Sequence, residues 1–259
     1  MHPDLEFALE LARHAQSITT AKFRTLDLAV ETKPDRTPVS EADKACEVLL
    51  REHIGRERPN DGIIGEEFPA TNPSAERQWM LDPIDSTRNY IRGVPVWGTL
   101  IALLDNGEPI VGVVDAPALG RRWWAARGEG AFTQDVDGTV RQLRVSRISS
   151  LADASFSFSD HLGWDAFGNG GGLQAIQHSV ERVRGYGDFW SHMMVAEGVV
   201  DIAAEPELSP YDQAALIPVI IEAGGMVTAF DGSNPLTGGN SLTTNGLLHA
   251  QVQALIANN

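Results

Sequence analysis

The sequence predicts a mixed α/β fold in which helices cover sheets, and three observations carry that prediction. Apolar residues at the N-terminus follow helical spacing, with Leu5, Ala8, Leu9 and Ala12 at i, i+3, i+4 and i+7. Short apolar runs bounded by Gly, Pro and Asn crowd residues 79–132, the mark of successive strands. Strand-like and helix-like stretches then alternate through the second half. The changeover lies near 140–152, so the chain divides into an N-terminal α+β half, 1–148, and a C-terminal α/β half, 149–259, that form one compact unit.

Taken in order, residues 4–24 read as a helix and 25–39 as extended and turn-rich, since Thr32–Ser40 holds two prolines. A second helix starts at Ser40, where Ser40-Glu-Ala-Asp43 is a variant capping box. Trp79-Met-Leu81 is a strand leading into Asp82-Pro-Ile-Asp85, and Ser86–Tyr90 opens a helix. Trp97–Leu104, Ile110–Asp115 and Arg122–Ala126 are strands, with hairpin signals at Asp105-Asn-Gly107 and Asp137-Gly138. Residues 155–159, 200–204 and 226–230 are later strands. Residues 188–198 and 211–224 are helices, the latter ending at Gly224-Gly225, and 231–241 is a loop. No internal repeat or low-complexity run interrupts this order.

Composition narrows the functional classes. Over 259 residues, 20 Lys+Arg stand against 35 Asp+Glu, a net charge of −15. The charge argues against nucleic acid and against an anionic membrane surface as partners, because no basic run offsets it. A hydrophobic share of 42% is enough for a folded core and excludes a disordered chain. No apolar stretch approaches the roughly 18 residues that span a bilayer. Met1–Glu10 is acidic and lacks the basic region of a secretory leader. A single cysteine, Cys46, leaves no intrachain disulfide and fits a reducing cytoplasm. The seven histidines lack the spacing of a zinc site.

Carboxylates concentrate beside turn residues in four segments: Asp43, Gly65-Glu66-Glu67, Asp82-Pro-Ile-Asp85 and Pro210-Tyr211-Asp212. Clustered acidic groups repel one another, and a hard divalent cation is their natural occupant. With a cation in place such a site also accepts phosphate, and helix-opening N–H groups after Asp85 would cradle it. Each residue also has a plain structural reading. Asp43 is the N3 residue of its capping box, Asp212 can cap a helix, and a lone acidic pair is commonly a solvated turn.

Read together, Ile64-Gly-Glu-Glu67, Trp79-Met-Leu-Asp-Pro-Ile-Asp-Ser-Thr87, Tyr211-Asp-Gln-Ala-Ala215 and Glu222-Ala-Gly-Gly225 resemble the inositol monophosphatase superfamily of metal-dependent phosphatases. Within it, Gly93–Trp97, Ala116-Pro-Ala118, Arg122–Ala126, Tyr186–Phe189, Val195–Gly198 and Asp201–Pro206 are most similar to the actinobacterial-type histidinol-phosphate phosphatases. The alternative is a phosphatase of inositol 1-phosphate or another small polyol phosphate, and a third reading is a catalytically silent phosphate-binding relative. The resemblance implies a layered αβαβα sandwich, a cytoplasmic homodimer and two or three Mg²⁺ per active site, often with lithium inhibition. It implies hydrolysis of a small phosphorylated substrate, histidinol phosphate, in histidine synthesis.

Carried over by position, Glu66, Asp82 and the carbonyl of Ile84 would hold one Mg²⁺. Asp82, Asp85 and Asp212 would hold a second, and Glu67, through water, would serve a third. Thr87, hydrogen-bonded to Asp43, would orient and help deprotonate the attacking water, and the N–H groups of Ser86 and Thr87 would hold phosphate. Two such ions about 3.5–4 Å apart clamp the attacking and leaving oxygens of an in-line displacement.

Histidinol phosphate carries an ammonium and an imidazole, so a selective pocket needs carboxylates. Asp188, Glu205 and Glu197 are the candidates, Arg184 a brace for Asp188 or Glu205, and Asn245 a residue of the rim. Against this, Asp188 can cap the following helix, Glu205 can be a turn residue before Pro206, and Glu197 can be structural. Trp123 and Trp124 read as core or dimer-interface residues, and His192 as sharing the helical face of Asp188. Two positions depart from the family pattern: Ser86 replaces the usual Gly, and Tyr211 replaces the more frequent Trp. The serine adds a Cβ at a crowded turn, where its hydroxyl would cap the helix or donate to phosphate.

Overall fold

The computed structural model describes residues 2–258. The N-terminal part runs α1 (Pro3–Lys22), β1 (Val30–Thr32), β2 (Pro38–Ser40), α2 (Glu41–Glu57), β3 (Gly62–Gly65), β4 (Arg77–Asp85), α3 (Thr87–Ile91), β5 (Gly98–Asp105), β6 (Glu108–Ala116), β7 (Arg121–Ala126), β8 (Gly130–Gln134) and β9 (Val140–Gln142). The C-terminal part runs β10 (Ser155–Ser157), α4 (His161–Ala166), α5 (Gly170–Ser179), β11 (Arg182–Arg184), α6 (Asp188–Ala196), β12 (Ile202–Glu205), α7 (Pro210–Gln213), α8 (Leu216–Glu222), β13 (Met226–Thr228), α9 (Pro235–Gly238), β14 (Ser241–Thr244) and α10 (His249–Ala257).

Side-chain alternation along the strands explains the layering. On β4 and β5, Trp79, Leu81, Ile101 and Leu103 pack with Leu5, Ala8, Leu11, Cys46 and Leu50 of α1 and α2. Their neighbours Met80, Leu100, Ala102 and Leu104 point the other way, onto Phe189 and Met193 of α6 and Leu216, Val219 and Ile220 of α8. A strand buried on both faces reads as a continuous apolar run, which is why Thr99–Leu104 stands out in the sequence. The strands of this sheet follow the order β3-β4-β5-β6-β7-β8-β9. The second sheet follows the order β11-β10-β12-β14-β13. On one face its Ala203, with Val200 just before β12, packs against Val195 of α6. On the other face Phe156, Ile202 and Leu242 meet Trp164, Leu173, Ile176, Val252 and Ile256 of α4, α5 and α10. The layers are therefore helix, sheet, helix, sheet, helix, the αβαβα sandwich that the resemblance implies. β1 and β2 form a separate antiparallel ribbon. No described helix is long and apolar enough to cross a membrane.

Local signals correct two sequence expectations. The helix expected over 211–224 divides into α7 and α8. Pro218 has no N–H to donate to the carbonyl four residues back, so the ladder is interrupted at Ala214 and Ala215. The break lies against the first sheet: a Cβ on Gly112 would stand 2.1 Å from the Ala215 carbonyl oxygen. Only glycine permits that approach, and it seats the segment carrying Asp212. The loop expected over 231–241 contains α9, with Asn234 Oδ1 accepting from Leu236 N at 2.9 Å as its N-cap.

Candidate active site

Three carboxylates converge where β4 ends. Residues three apart on a regular strand face opposite sides. Between Asp82 and Asp85, however, the register with β5 shifts. That irregularity re-aims the strand, so both carboxylates serve one hollow. The third, Asp212, is the N3 residue of a capping box in which Ser209 N donates to Oδ2 at 2.7 Å. One oxygen from each of Asp82, Asp85 and Asp212 lies within 4.8 Å of the others.

The cluster is electrostatically strained in a way that suits a cation. Burial, then the charges of Glu66, Asp85 and Asp212, push Asp82 well above the usual carboxylate range. Burial, then Asp188 and Asp212, push up Asp85, although Phe189 N donates to its Oδ2 at 3.2 Å. Burial above all brings Asp212 to about 7. Asp82 Oδ1 is buried and has no hydrogen-bond partner among the described residues. A buried acceptor left orphaned beside like charges is unfavourable unless something positive meets it. An all-oxygen donor set fits a hard divalent cation such as Mg²⁺.

Glu66 and Glu67 follow β3. A Cβ on Gly65 would stand 2.1 Å from Glu47 Oε1, so this turn needs glycine. Glu47 is fully buried on α2 and accepts from Glu67 N at 2.8 Å, Phe68 N at 3.2 Å and Arg51 Nε at 2.7 Å. It pins the backbone of the acidic turn. The Glu66 and Glu67 carboxylates in turn meet Lys33 Nζ at 2.6 and 2.7 Å. Burial acts to lower the Lys33 pKa, but these two hydrogen bonds outweigh it and raise it. Burial pushes Glu67 up to about 7.

The predicted pairing of Thr87 with Asp43 is present. Thr87 Oγ1 lies 3.3 Å from Asp43 Oδ1 and 3.1 Å from the Ile84 carbonyl. Asp43 Oδ2 closes the capping box, accepting from Ser40 N at 2.8 Å, while Oδ1 is the oxygen that meets Thr87. Burial brings this carboxyl to about 6. Ser86 adopts φ 66°, the left-handed region that favours glycine. Its hydroxyl neither caps α3 nor stands free: it donates to Asp188 Oδ2.

Asp188 does not cap α6. Its side chain takes Ser86 Oγ, Asn89 Nδ2 at 3.5 Å and Ser159 Oγ at 3.4 Å. Ser159 also donates to Glu205 Oε1 at 2.8 Å, so Asp188 and Glu205 stand on one wall. Glu205 is 4% exposed, at the end of β12. Burial pushes it up to about 8.

Three expected site residues lie elsewhere. Glu197 accepts from Arg121 Nη2 and Trp123 Nε1, each at 2.5 Å, and from Arg141 Nη2 at 2.8 Å. Both its oxygens are committed, so it is structural. Asn245 is 3% exposed and ties Ser146 Oγ, the Ile148 carbonyl and Leu248 N together, away from any rim. Arg184 is exposed, donates to the Val183 carbonyl at 2.5 Å and forms no ion pair with Asp188 or Glu205 among the described residues. Trp123 and Trp124 are core residues of β7. His192 turns inward, with Nδ1 2.8 Å from Thr243 Oγ1. Sequence reading missed Lys33, Glu47 and Ser159. Lys33 lies beside Pro34 in a turn-rich stretch, and apart from the Glu47–Arg51 pair at i,i+4 on α2 no local pattern joins these residues to their partners.

The chain is similar to known proteins over nearly its whole length. The sequence profile described as the inositol monophosphatase family matches residues 1–258. A histidinol-phosphatase of Mycobacterium tuberculosis is 53% identical over 252 residues, covering 97% of this chain and 96% of that protein. A histidinol-phosphatase of Streptomyces coelicolor is 51% identical over 253 residues, covering 96% and 95%. The structure of an IMPase from Thermotoga maritima superposes with a TM-score of 0.87 at 29% identity, covering 98% of this chain and 97% of that one.

Proposed function

We propose, since this chain belongs to the inositol monophosphatase family, that it is a Mg²⁺-dependent phosphomonoesterase that hydrolyses histidinol phosphate to histidinol and phosphate. The observation that carries the chemistry is the convergence of Asp82, Asp85 and Asp212 on one hollow, with Asp82 Oδ1 orphaned in it. The substrate reading is supported by the near-full-length similarity to two histidinol-phosphatases and by the pair of acidic side chains, Asp188 and Glu205, that Ser159 joins on one wall.

In this reading Glu66, Asp82 and the Ile84 carbonyl would hold one ion, Asp82, Asp85 and Asp212 would hold a second, and Glu67 would serve a third. Bound there, the ions supply positive charge for the phosphate and lower the pKa of water. The chain's own groups do the rest. Thr87 Oγ1, oriented by Asp43, positions the attacking water and relays its proton toward the Asp43 carboxylate. The N–H groups of Ser86 and Thr87 hold phosphate oxygens, so that attack runs in line with the leaving alkoxide. Asp188 and Glu205 meet the ammonium and imidazole of the leaving group by charge-assisted hydrogen bonds. The enzyme works in the cytoplasm as a homodimer.

Steady-state phosphate release tests the reading. With Mg²⁺, kcat/KM for histidinol phosphate exceeds that for inositol 1-phosphate. The reverse order would make the protein a polyol-phosphate phosphatase. No Mg²⁺-stimulated release across a small-molecule panel would make it a silent relative.

A further inference from the structure

We infer that Ser86, through its side chain, is a positioning residue for substrate specificity. Its hydroxyl holds Asp188 in place for the cationic end of the substrate. The inference rests on the substrate reading above.

The geometry is unusual at both ends of this contact. Ser86 has φ 66° and Asp188 has φ 48°, so two non-glycine residues occupy left-handed backbone. Such positions persist only where surrounding structure fixes them. The two are 102 residues apart in sequence, one at the turn after β4 and the other opening α6, and they meet through Ser86 Oγ and Asp188 Oδ2. A glycine at position 86 would satisfy the backbone without strain, yet would leave that oxygen without its hydroxyl donor.

The other partners of Asp188 do not replace this bond. Asn89 Nδ2 reaches Oδ2 only at 3.5 Å and also serves the Val96 carbonyl at 2.9 Å. Ser159 Oγ stands 3.4 Å from Oδ1 but 2.8 Å from Glu205. Ser86 therefore fixes Oδ2 and leaves Oδ1 turned to the wall shared with Glu205, where an ammonium would bind. The same residue's N–H faces the phosphate in the proposed mechanism. One residue thus sets the distance between the two ends of the substrate, with its backbone at the phosphate and its side chain at the carboxylate that reads the leaving group.

The test is a mutant cycle on the full chain with Mg²⁺: wild type, Ser86→Gly, Asp188→Asn and the double variant. Each is assayed on histidinol phosphate and on glycerol 2-phosphate, whose alcohol is uncharged. The selectivity ratio, kcat/KM for the first over kcat/KM for the second, falls about tenfold in Ser86→Gly, the loss expected for one hydrogen bond to a charged group. The loss falls more on KM for histidinol phosphate than on its kcat. The double variant has the same ratio as Asp188→Asn alone, since Ser86 acts through Asp188. An unchanged ratio in Ser86→Gly, or losses that multiply in the double variant, would overturn the inference while leaving the substrate reading standing. A wild type that does not prefer histidinol phosphate would overturn both.

Discussion

Buried carboxylates differ from one another by what meets them. Glu197 is satisfied by Arg121, Arg141 and Trp123, whereas Glu205 is buried with a single serine. With no cationic group beside it among the described residues, Glu205 therefore stays protonated to about 8, far above its unfolded value, and a bound cation favours its ionised form. For an acid whose folded pKa is raised, the unfolded chain releases its proton first as pH rises. Its contribution to stability is complete below the unfolded value near 4.5 and is lost as pH climbs to about 8. Glu205→Gln removes that loss, so its Tm relative to wild type rises between pH 4.5 and pH 8. A difference flat across that window in thermal melts would contradict the assignment. Glu197→Ala strands the Trp123 indole N–H and leaves Arg121 and Arg141 with Asp135 as their one shared carboxylate, and lowers stability by about 2–4 kcal/mol in denaturant unfolding. It leaves the selectivity between histidinol phosphate and glycerol 2-phosphate unchanged. The sequence could not separate these two glutamates, because the partners of Glu197 lie 56 to 76 residues away.

At the scale of elements, legibility follows locality. The Ser40–Asp43 capping box, the hairpin turns and the Asp82–Asp85 strand end are written in contiguous residues, and each is present. The three- and four-residue strands β3, β11 and β14 are too short to show a period, and α5 and α10 lie where no catalytic pattern directs attention. The Gly65 turn shows the same limit, since it needs Glu47 on α2 to explain it. Gly65→Ala drives a Cβ into that carboxylate, and it destabilises the fold by about 2–4 kcal/mol in denaturant unfolding. An unchanged midpoint would show that the turn yields freely. The β1–β2 ribbon carries the other unforeseen group. Lys33 holds the Glu66 and Glu67 carboxylates and competes with a cation for them. Lys33→Gln lowers the Mg²⁺ concentration for half-maximal activity by about two- to fivefold. A higher requirement would mean that Lys33 assists the ion instead.

Across the whole molecule, five layers bring together residues from widely separated segments. β4 and α7 deliver Asp82, Asp85 and Asp212, while α2 and β3 deliver Asp43, Glu66 and Glu67. Composition and periodicity reach only a mixed fold with scattered acidic turns. The family resemblance reaches the layered sandwich and the acidic set, but not the folding of Glu197 and Asn245 into the frame. Everything in the proposed chemistry depends on the three converging carboxylates capturing a cation. The most direct measurement is calorimetric titration of chelator-stripped protein with Mg²⁺, for wild type and Asp82→Asn. Wild type binds, and Asp82→Asn binds at least about tenfold more weakly because one of its two oxygen donors becomes an amide NH2 and one of the charges is lost. Equal binding by the two proteins would contradict the assignment of the hollow as the metal site.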